Sequence, residues 1–251
     1  MKTIKFTCLI LPVMLALGSI FVQSCSSEDH LIPDPTFDIS LKNDITLGNI
    51  LVDGTGNSLY FFEKDVEGKS LCSGGCTNVW PIFFSENIKS APGIGASLFG
   101  TITREDGKKQ TTYKGWPLYR FAQDVKAGDV KGDNKNGFFA AKPDYSVFFA
   151  SKGAGRYLVD AFGKTLYTFA NDQDDISNCK DGCAAVWPAF FVEPPVVPSP
   201  LKTSDFYKIT RVDSKQQVTF NKKPVYFFSK DLVRGDVKGT DANAKFTVLS
   251  F

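Results

Sequence analysis

Four cysteines form two pairs with identical spacing, Cys72 with Cys76 and Cys179 with Cys183. An even number of cysteines predicts disulfide bonds in a chain that is exported, and the basic residues Lys2 and Lys5 followed by an apolar run indicate export here. We expect each bond to close within its own pair, because a duplicated unit that once folded alone would contain its own bond. Thiol–disulfide exchange is an alternative, although Cys-x-x-x-Cys lacks the two-residue spacing of thioredoxin-like motifs. A structural zinc ion held by all four thiolates is the third possibility.

A second pattern combines two aromatic rings with a carboxylate. Tyr and Phe two positions apart lie on one face of a strand, and an Asp three positions later falls where the strand ends. The rings are therefore predicted to pack in the core and the carboxylates to cap turns, with an aromatic platform for a sugar or peptide as the alternative. The pattern Tyr-x-Phe-x-x-Asp occurs four times: Tyr60, Phe62, Asp65; Tyr119, Phe121, Asp124; Tyr167, Phe169, Asp172; Tyr226, Phe228, Asp231.

The N-terminal residues have the order of an export signal. Lys2 and Lys5 precede an apolar run, so residues 1–24 are predicted to be a signal peptide. Val-Gln-Ser-Cys at its end resembles a bacterial lipoprotein signal, in which Cys25 becomes the acylated first residue. Acyl chains would attach the protein to a membrane without a transmembrane helix. Residues 25–46 are predicted to be this lipidated cysteine and a polar tether, with the folded part beginning near Leu47.

The composition after the signal excludes several functions. Removing Lys2 and Lys5 from 29 basic residues leaves 27 against 27 acidic ones, with no Met and with His30 as the single histidine. A neutral chain lacks the positive charge that binds nucleic acid. The side chains needed for a copper site, a haem, a catalytic zinc or a Ser-His-Asp triad are absent as well. We predict no catalytic residue, no metal and no cofactor.

An internal duplication organises the rest of the chain. Residues 51–53 recur as 158–160 and residues 128–132 recur as 235–239, both at an offset of 107 positions, since 158 minus 51 and 235 minus 128 are 107. Trp116 breaks the symmetry because Lys223 stands at its equivalent position. Packing symmetry therefore does not require this tryptophan, and we predict that it is an exposed contact residue for a ligand.

Turn signals between short aromatic and β-branched runs predict the fold class. Residues 101–113 read as a hairpin around Asp106-Gly107, and residues 208–220 are its counterpart. The prediction is an all-β protein of two tandem antiparallel repeats of hairpins, pseudo-twofold, at residues 47–150 and 151–251. Whether the copies form one body or two domains stays open, although the short junction favours close packing.

The four motifs in register and the Cys-x-x-x-Cys followed by Trp-Pro resemble a known family over residues 47–251. This is the family of predicted secreted lipoproteins with a Tyr-x-(Phe/Trp/Tyr)-x-x-Asp motif, the secreted repeat of unknown function. The resemblance implies a location in the cell envelope and no established chemistry.

The anchor, the duplication and the lack of a catalytic base together predict a function class. We expect an outer membrane lipoprotein, on the periplasmic or surface face, that acts as a non-enzymatic binding or structural module. Its expected partners are the membrane, through the lipid anchor, and a protein or glycan ligand, but no nucleic acid. The alternative is an extracytoplasmic redox or electron-transfer protein that uses the cysteine pairs.

Overall fold

A computed structural model describes residues 36–153 and 155–250 of the chain. The predicted signal peptide, Cys25 and the first part of the tether lie outside the described residues, and the predictions for them stay predictions. Within the described ranges, no helix has the length and apolar character needed to cross a membrane.

Short strands make up most of the regular structure. The helices of the described part are single turns: α1 (Cys76–Val79), α2 (Gly182–Val186) and α3 (Gly239–Ala242), with 3₁₀ turns at Glu63–Glu67, Ala96–Leu98 and Thr203–Asp205. The strands are β1 (Ile39–Asp44), β2 (Gly48–Asp53), β3 (Tyr60–Phe62), β4 (Phe99–Thr103), β5 (Lys109–Tyr113), β6 (Trp116–Pro117), β7 (Phe138–Ala140), β8 (Val147–Lys152), β9 (Gly155–Asp160), β10 (Tyr167–Phe169), β11 (Phe206–Thr210), β12 (Gln216–Phe220), β13 (Lys223–Tyr226) and β14 (Phe246–Val248).

The strands pair as antiparallel hairpins and small sheets, which confirms the predicted fold class. β1 pairs with β2, β8 with β9, and β3 with β7. β4, β5 and β6 form a three-stranded sheet, and its counterpart in the second repeat is the five-stranded sheet in the order β11-β12-β13-β10-β14. The hairpins predicted at residues 101–113 and 208–220 are β4–β5 and β11–β12.

The predicted tether is wrong for residues 39–44, which form strand β1 and pair along their whole length with β2. Ile39 is completely buried, and Leu41 packs against the core. These two residues alternate with Ser40 and Lys42, the period of two that a strand needs to bury one face. The polar residues between the apolar ones gave the segment the composition of a spacer.

Each repeat opens with the same hairpin, β1–β2 in the first and β8–β9 in the second. Asp53 ends β2 and Asp160 ends β9, which agrees with the offset of the duplication. The two strands are one residue closer along the chain in the second hairpin, since β9 begins three positions after the end of β8 and β2 begins four positions after the end of β1. The predicted boundary between residues 150 and 151 therefore falls inside β8, and the folded second unit begins earlier than expected.

One large hydrophobic core contains side chains from both repeats, and the described residues all lie in a single compact unit. The copies are therefore halves of one body. Members of this core include Leu51, Phe61 and Trp116 from the first repeat and Leu158, Leu166 and Phe220 from the second.

Each repeat also builds an aromatic cluster of its own. Phe138 stacks on Phe62 and on Trp80, with ring centroids 4.1 and 3.8 Å away, and Trp80 stacks on Phe121 at 4.4 Å. Stacked aromatic pairs contribute about 0.5–1.5 kcal/mol beyond their buried area. The same arrangement recurs in the second repeat, with Phe246, Phe169, Trp187 and Phe228.

Candidate functional site: crossed tyrosine–aspartate pairs

The two motifs of each repeat lie side by side. In the first repeat the Tyr60 N–H donates to Tyr119 O at 2.8 Å, and the Tyr119 N–H donates to Tyr60 O at 3.0 Å. In the second repeat Tyr167 of β10 stands opposite Tyr226 of β13. All four tyrosines are completely buried, so they form no open aromatic platform, and the predicted core role is correct.

The paired motifs exchange side-chain hydrogen bonds. Tyr60 Oη donates to Asp124 Oδ2 at 2.5 Å, and Tyr119 Oη donates to Asp65 Oδ2 at 2.6 Å. The tyrosine of each motif is thus bound to the aspartate of the other, an arrangement that we call the crossed pairs. The second repeat has the same crossed pairs, Tyr167 with Asp231 and Tyr226 with Asp172, both at 2.7 Å.

The second oxygen of each carboxylate makes the turn-capping bond expected from the sequence. Asp65 Oδ1 accepts the Leu71 N–H at 2.8 Å, and Asp124 Oδ1 accepts the Lys131 N–H at 2.9 Å. Each motif aspartate therefore holds a turn with one oxygen and a tyrosine with the other. The corresponding bonds of the second repeat join Asp172 to the Asn178 N–H and Asp231 to the Lys238 N–H.

Burial controls the protonation of these groups. Burial raises the pKa of Asp65 to about 7. Hydrogen bonds from Tyr119 and Leu71 and the positive charge of Arg104 lower this pKa, but burial has the larger effect. Burial also raises the pKa of Asp124. The pKa of Tyr119 lies well above its usual value because of burial and the nearby Asp65 carboxylate. The phenol therefore keeps its proton and acts as the donor of the pair.

A buried arginine connects the crossed pairs to the disulfide. The Arg104 guanidinium donates to Gln110 Oε1 at 2.9 Å, to Cys72 O at 2.8 Å and to Ser70 Oγ. Ser70 Oγ in turn lies 2.6 Å from Tyr119 Oη. Hydrogen bonds to a charged donor contribute about 1.5–3 kcal/mol each, so this network fixes the disulfide loop against the motif.

The second repeat contains the same network. Arg211 donates to Ser177 Oγ at 2.7 Å, to Gln217 Oε1 at 2.8 Å and to Cys179 O at 2.6 Å. Ser177 and Gln217 have the same residue types as their first-repeat counterparts, 107 positions earlier. The sequence prediction did not include the arginine, the serine or the glutamine, although the identity between the two copies at each of these positions would have revealed them.

Disulfides join Cys72 to Cys76 and Cys179 to Cys183, which confirms the predicted pairing. A zinc ion held by all four thiolates is therefore excluded, because each sulfur is bonded within its own pair. Cys72 and Cys179 are buried in the two aromatic clusters. Among the described residues, no three His, Cys, Asp or Glu side chains converge as a metal site would require.

The expected exposure of Trp116 is wrong. Only 1% of the residue is exposed, and its indole N–H donates to Ala161 O in the second repeat at 2.9 Å. Its ring packs on Phe148 at 4.8 Å. Trp116 lies where the repeats meet, whereas Lys223 is on the surface, because head-to-tail copies bring different surfaces together.

Arg234 makes a second contact between the repeats. Its guanidinium donates to Val66 O at 2.6 Å and to Lys114 O at 3.1 Å, and it lies over the Trp116 ring at 4.8 Å. Burial lowers its pKa to about 10, so it remains charged at neutral pH. Gly115 lies so close that a Cβ there would overlap the guanidinium.

The motif residues do not line the surface pocket of the second repeat. This pocket is bounded by Lys152, Tyr157, Lys238 and neighbouring residues, all outside the four motifs. The motif groups instead bond one another inside the protein. Their arrangement stabilises the repeat and presents no reactive group to this pocket.

A family model described as a secreted repeat of unknown function matches residues 44–83, 100–141 and 149–190. The resemblance predicted from the motifs is therefore confirmed, and the chain carries repeats of this family. Three of the four motifs fall within the matched segments, and the fourth has the same geometry in the structure. No curated protein and no solved structure matches the chain. The family indicates an extracellular or cell-envelope location.

Proposed function

We propose that the protein is a lipid-anchored, non-enzymatic module of the cell envelope that acts as a binding or structural element. The observation that carries this proposal is the crossed pairs. Tyr60, Tyr119 and their carboxylate partners are buried and bonded to each other. Tyrosines and carboxylates that are buried and bonded to each other stabilise the folded protein and have no access to a substrate.

The location within the envelope follows from the N-terminal residues. Acylation of Cys25 would hold the protein on the outer membrane, with the folded body on the periplasmic or surface side. Dual or multiple acyl chains suffice for stable attachment, since each buried CH₂ contributes about 0.8 kcal/mol. The remaining partner is a protein or a glycan, because a chain of balanced charge lacks the electrostatic attraction that nucleic acids require.

Labelling with an alkyne-bearing fatty acid tests the anchor. The full chain is expressed in its natural type of host and compared with two variants, Cys25→Ser and Cys8→Ser. Cys25→Ser should lose the label and the membrane attachment, while Cys8→Ser, altered within the predicted signal, should keep both. Label retained by Cys25→Ser would disprove acylation at this position.

The redox alternative has weaker support. Cys72 and Cys179 are buried, and a guanidinium holds the carbonyl of each. Disulfides that exchange readily are exposed or strained ones. Both disulfides should therefore resist a glutathione buffer when free thiols are titrated in the folded protein. Easy reduction that yields a thiol of low pKa would instead favour the redox protein.

A further inference from the structure

The two repeats present equivalent edge strands with different protection. β4 is the last strand of its sheet, and β11 is the last strand of the five-stranded sheet. Within the described residues, no other strand lies beyond either of them. The β4 sequence is Phe-Gly-Thr-Ile-Thr and the β11 sequence is Phe-Tyr-Lys-Ile-Thr. An edge strand exposes unpaired N–H and C=O groups that are a template for another strand.

The hydrogen bonds at the two ends of the β4–β5 pairing show which backbone groups face outward. The Arg104 N–H donates to Lys108 O at 2.9 Å, and the Lys114 N–H donates to Leu98 O at 2.8 Å. The even-numbered positions of this segment are therefore the ones bonded to β5. Bonded positions alternate along an antiparallel pair, so the odd-numbered positions of β4 direct their backbone groups away from the sheet.

Thr101 is the central outward position of β4, and Thr103 is the outward position at its end. Both residues are exposed, and no charged side chain occurs between Phe99 and Thr103. Proteins usually block such an edge with a lysine, a proline or a bulge. None of these features is present within β4, so its outer row is available to a second strand.

The second repeat carries the protection that the first lacks. Lys208 stands at the position equivalent to Thr101, 107 residues later, and its side chain is exposed. Its ammonium group forms an ion pair with Glu193 at 2.5 Å. Any strand added beside β11 would have to accommodate this charge next to its backbone.

We propose that two copies of the protein associate through β4, with the two β4 strands antiparallel about a twofold axis at Thr101. An outward row of backbone donors and acceptors is complementary to another extended strand, and twofold pairing closes after two copies. With the axis at this position, Thr101 of one molecule faces Thr101 of the other, and Thr103 of one molecule faces Phe99 of the other. Threonine pairs across strands are favourable, and this interface contains no charge.

The same pairing through β11 is disfavoured. A twofold axis at the equivalent position would place Lys208 directly opposite a second Lys208. Like charges facing each other across an antiparallel pair are destabilising. The two edge strands thus predict different behaviour from nearly the same sequence, and β11 is a built-in control.

Cysteine cross-linking in intact cells tests the interface with the full chain. Directly opposed residues in a hydrogen-bonded antiparallel pair have Cα atoms about 5.5 Å apart, a distance that a disulfide can span. With a mild oxidant, Thr101→Cys should give a cross-linked dimer on a non-reducing gel.

The control has to retain Lys208, because this lysine is what disfavours pairing through β11. Phe206→Cys/Thr210→Cys would place the thiol at position 206 opposite the thiol at position 210 of a second copy at that edge. Anchored and expressed equally, this double variant should give at least tenfold less dimer than Phe99→Cys/Thr103→Cys, its equivalent in β4.

Thr103→Cys tests the register. In the proposed pairing the two copies of position 103 stand four residues apart along the strands, too far for a disulfide, so this single variant should cross-link at least tenfold less than Thr101→Cys. Equal cross-linking of the β4 and β11 double variants, stronger cross-linking of Thr103→Cys than of Thr101→Cys, or no dimer from Thr101→Cys would each overturn the proposal.

Discussion

The two repeats contain the same interior interactions, but two residues that connect the repeats have different residue types at their equivalent positions. Both contain a disulfide, a buried arginine and crossed pairs with the same partners. Trp116 and Arg234, which connect the repeats, have Lys223 and Ala127 at their equivalent positions. These two contacts between the repeats thus depend on residues that differ between the copies, although the core that joins the repeats also contains equivalent residues such as Leu51 and Leu158.

This difference follows from the geometry of a tandem duplication. Two copies packed into one body bring unlike surfaces together, so an interface residue is useful in one copy and exposed in the other. The crossed pairs lie within a unit and experience the same neighbours in both copies. Selection for packing therefore favours the same residues in both copies at the crossed pairs. At the contact between the repeats it can favour different residues in the two copies.

The largest effect is expected from substitution at the contact. Trp116→Ala should lower the free energy of unfolding by about 3–5 kcal/mol, because it leaves a cavity between the repeats. Lys223→Ala should change it by less than about 0.5 kcal/mol, because this lysine is exposed. Denaturant titration of both variants measures the difference, and equal losses would show that Trp116 has no special role at the contact.

The crossed pairs should respond alike in the two repeats. Asp124→Ala leaves the buried Tyr60 hydroxyl without its acceptor, at about 1–3 kcal/mol, and also removes the acceptor of the Lys131 N–H in the turn. Asp231→Ala should cost about the same, and Asp124→Asn, which retains an acceptor, should cost less. Denaturation curves of the three variants test this, and a loss confined to one repeat would contradict the equivalence of the crossed pairs.

A separate effect concerns pH. The pKa of Asp65 is about 7 in the folded protein and has a reference value of 3.8. The folded state then binds a proton more tightly than the unfolded state, so this group stabilises the fold below about pH 4 and loses that contribution as the pH rises towards 7.

Replacing the carboxyl group isolates this contribution. Relative to the wild type, Asp65→Asn should show a weaker decline in unfolding free energy between pH 4 and 7, where each unit of pKa difference corresponds to about 1.4 kcal/mol. Unfolding curves across this pH range give the comparison. Identical pH dependence in both proteins would argue against a raised pKa for Asp65.

Local patterns predicted much of the fold. Alternating residues and the Asp106-Gly107 turn indicated the β4–β5 hairpin, and the motif spacing placed Tyr60 in the core and Asp65 at a turn. The partner of each tyrosine was missed, because Tyr60 and Asp124 are 64 positions apart and no local pattern relates them. The β1 strand was missed because its polar residues hid the alternation.

By itself the sequence determined the duplication, through residues that recur at a single offset, and the antiparallel strands, through spacing within short segments. For the cysteines it favoured pairing within each repeat but left thiol exchange and a shared zinc ion open. Only the tertiary structure decided which carboxylate binds which tyrosine and that Trp116 is buried. The physical reason is that a side chain's neighbours depend on how strands pair and how the copies pack. Equivalent segments therefore acquire different surroundings: Trp116 lies between the repeats, while Lys223 faces solvent.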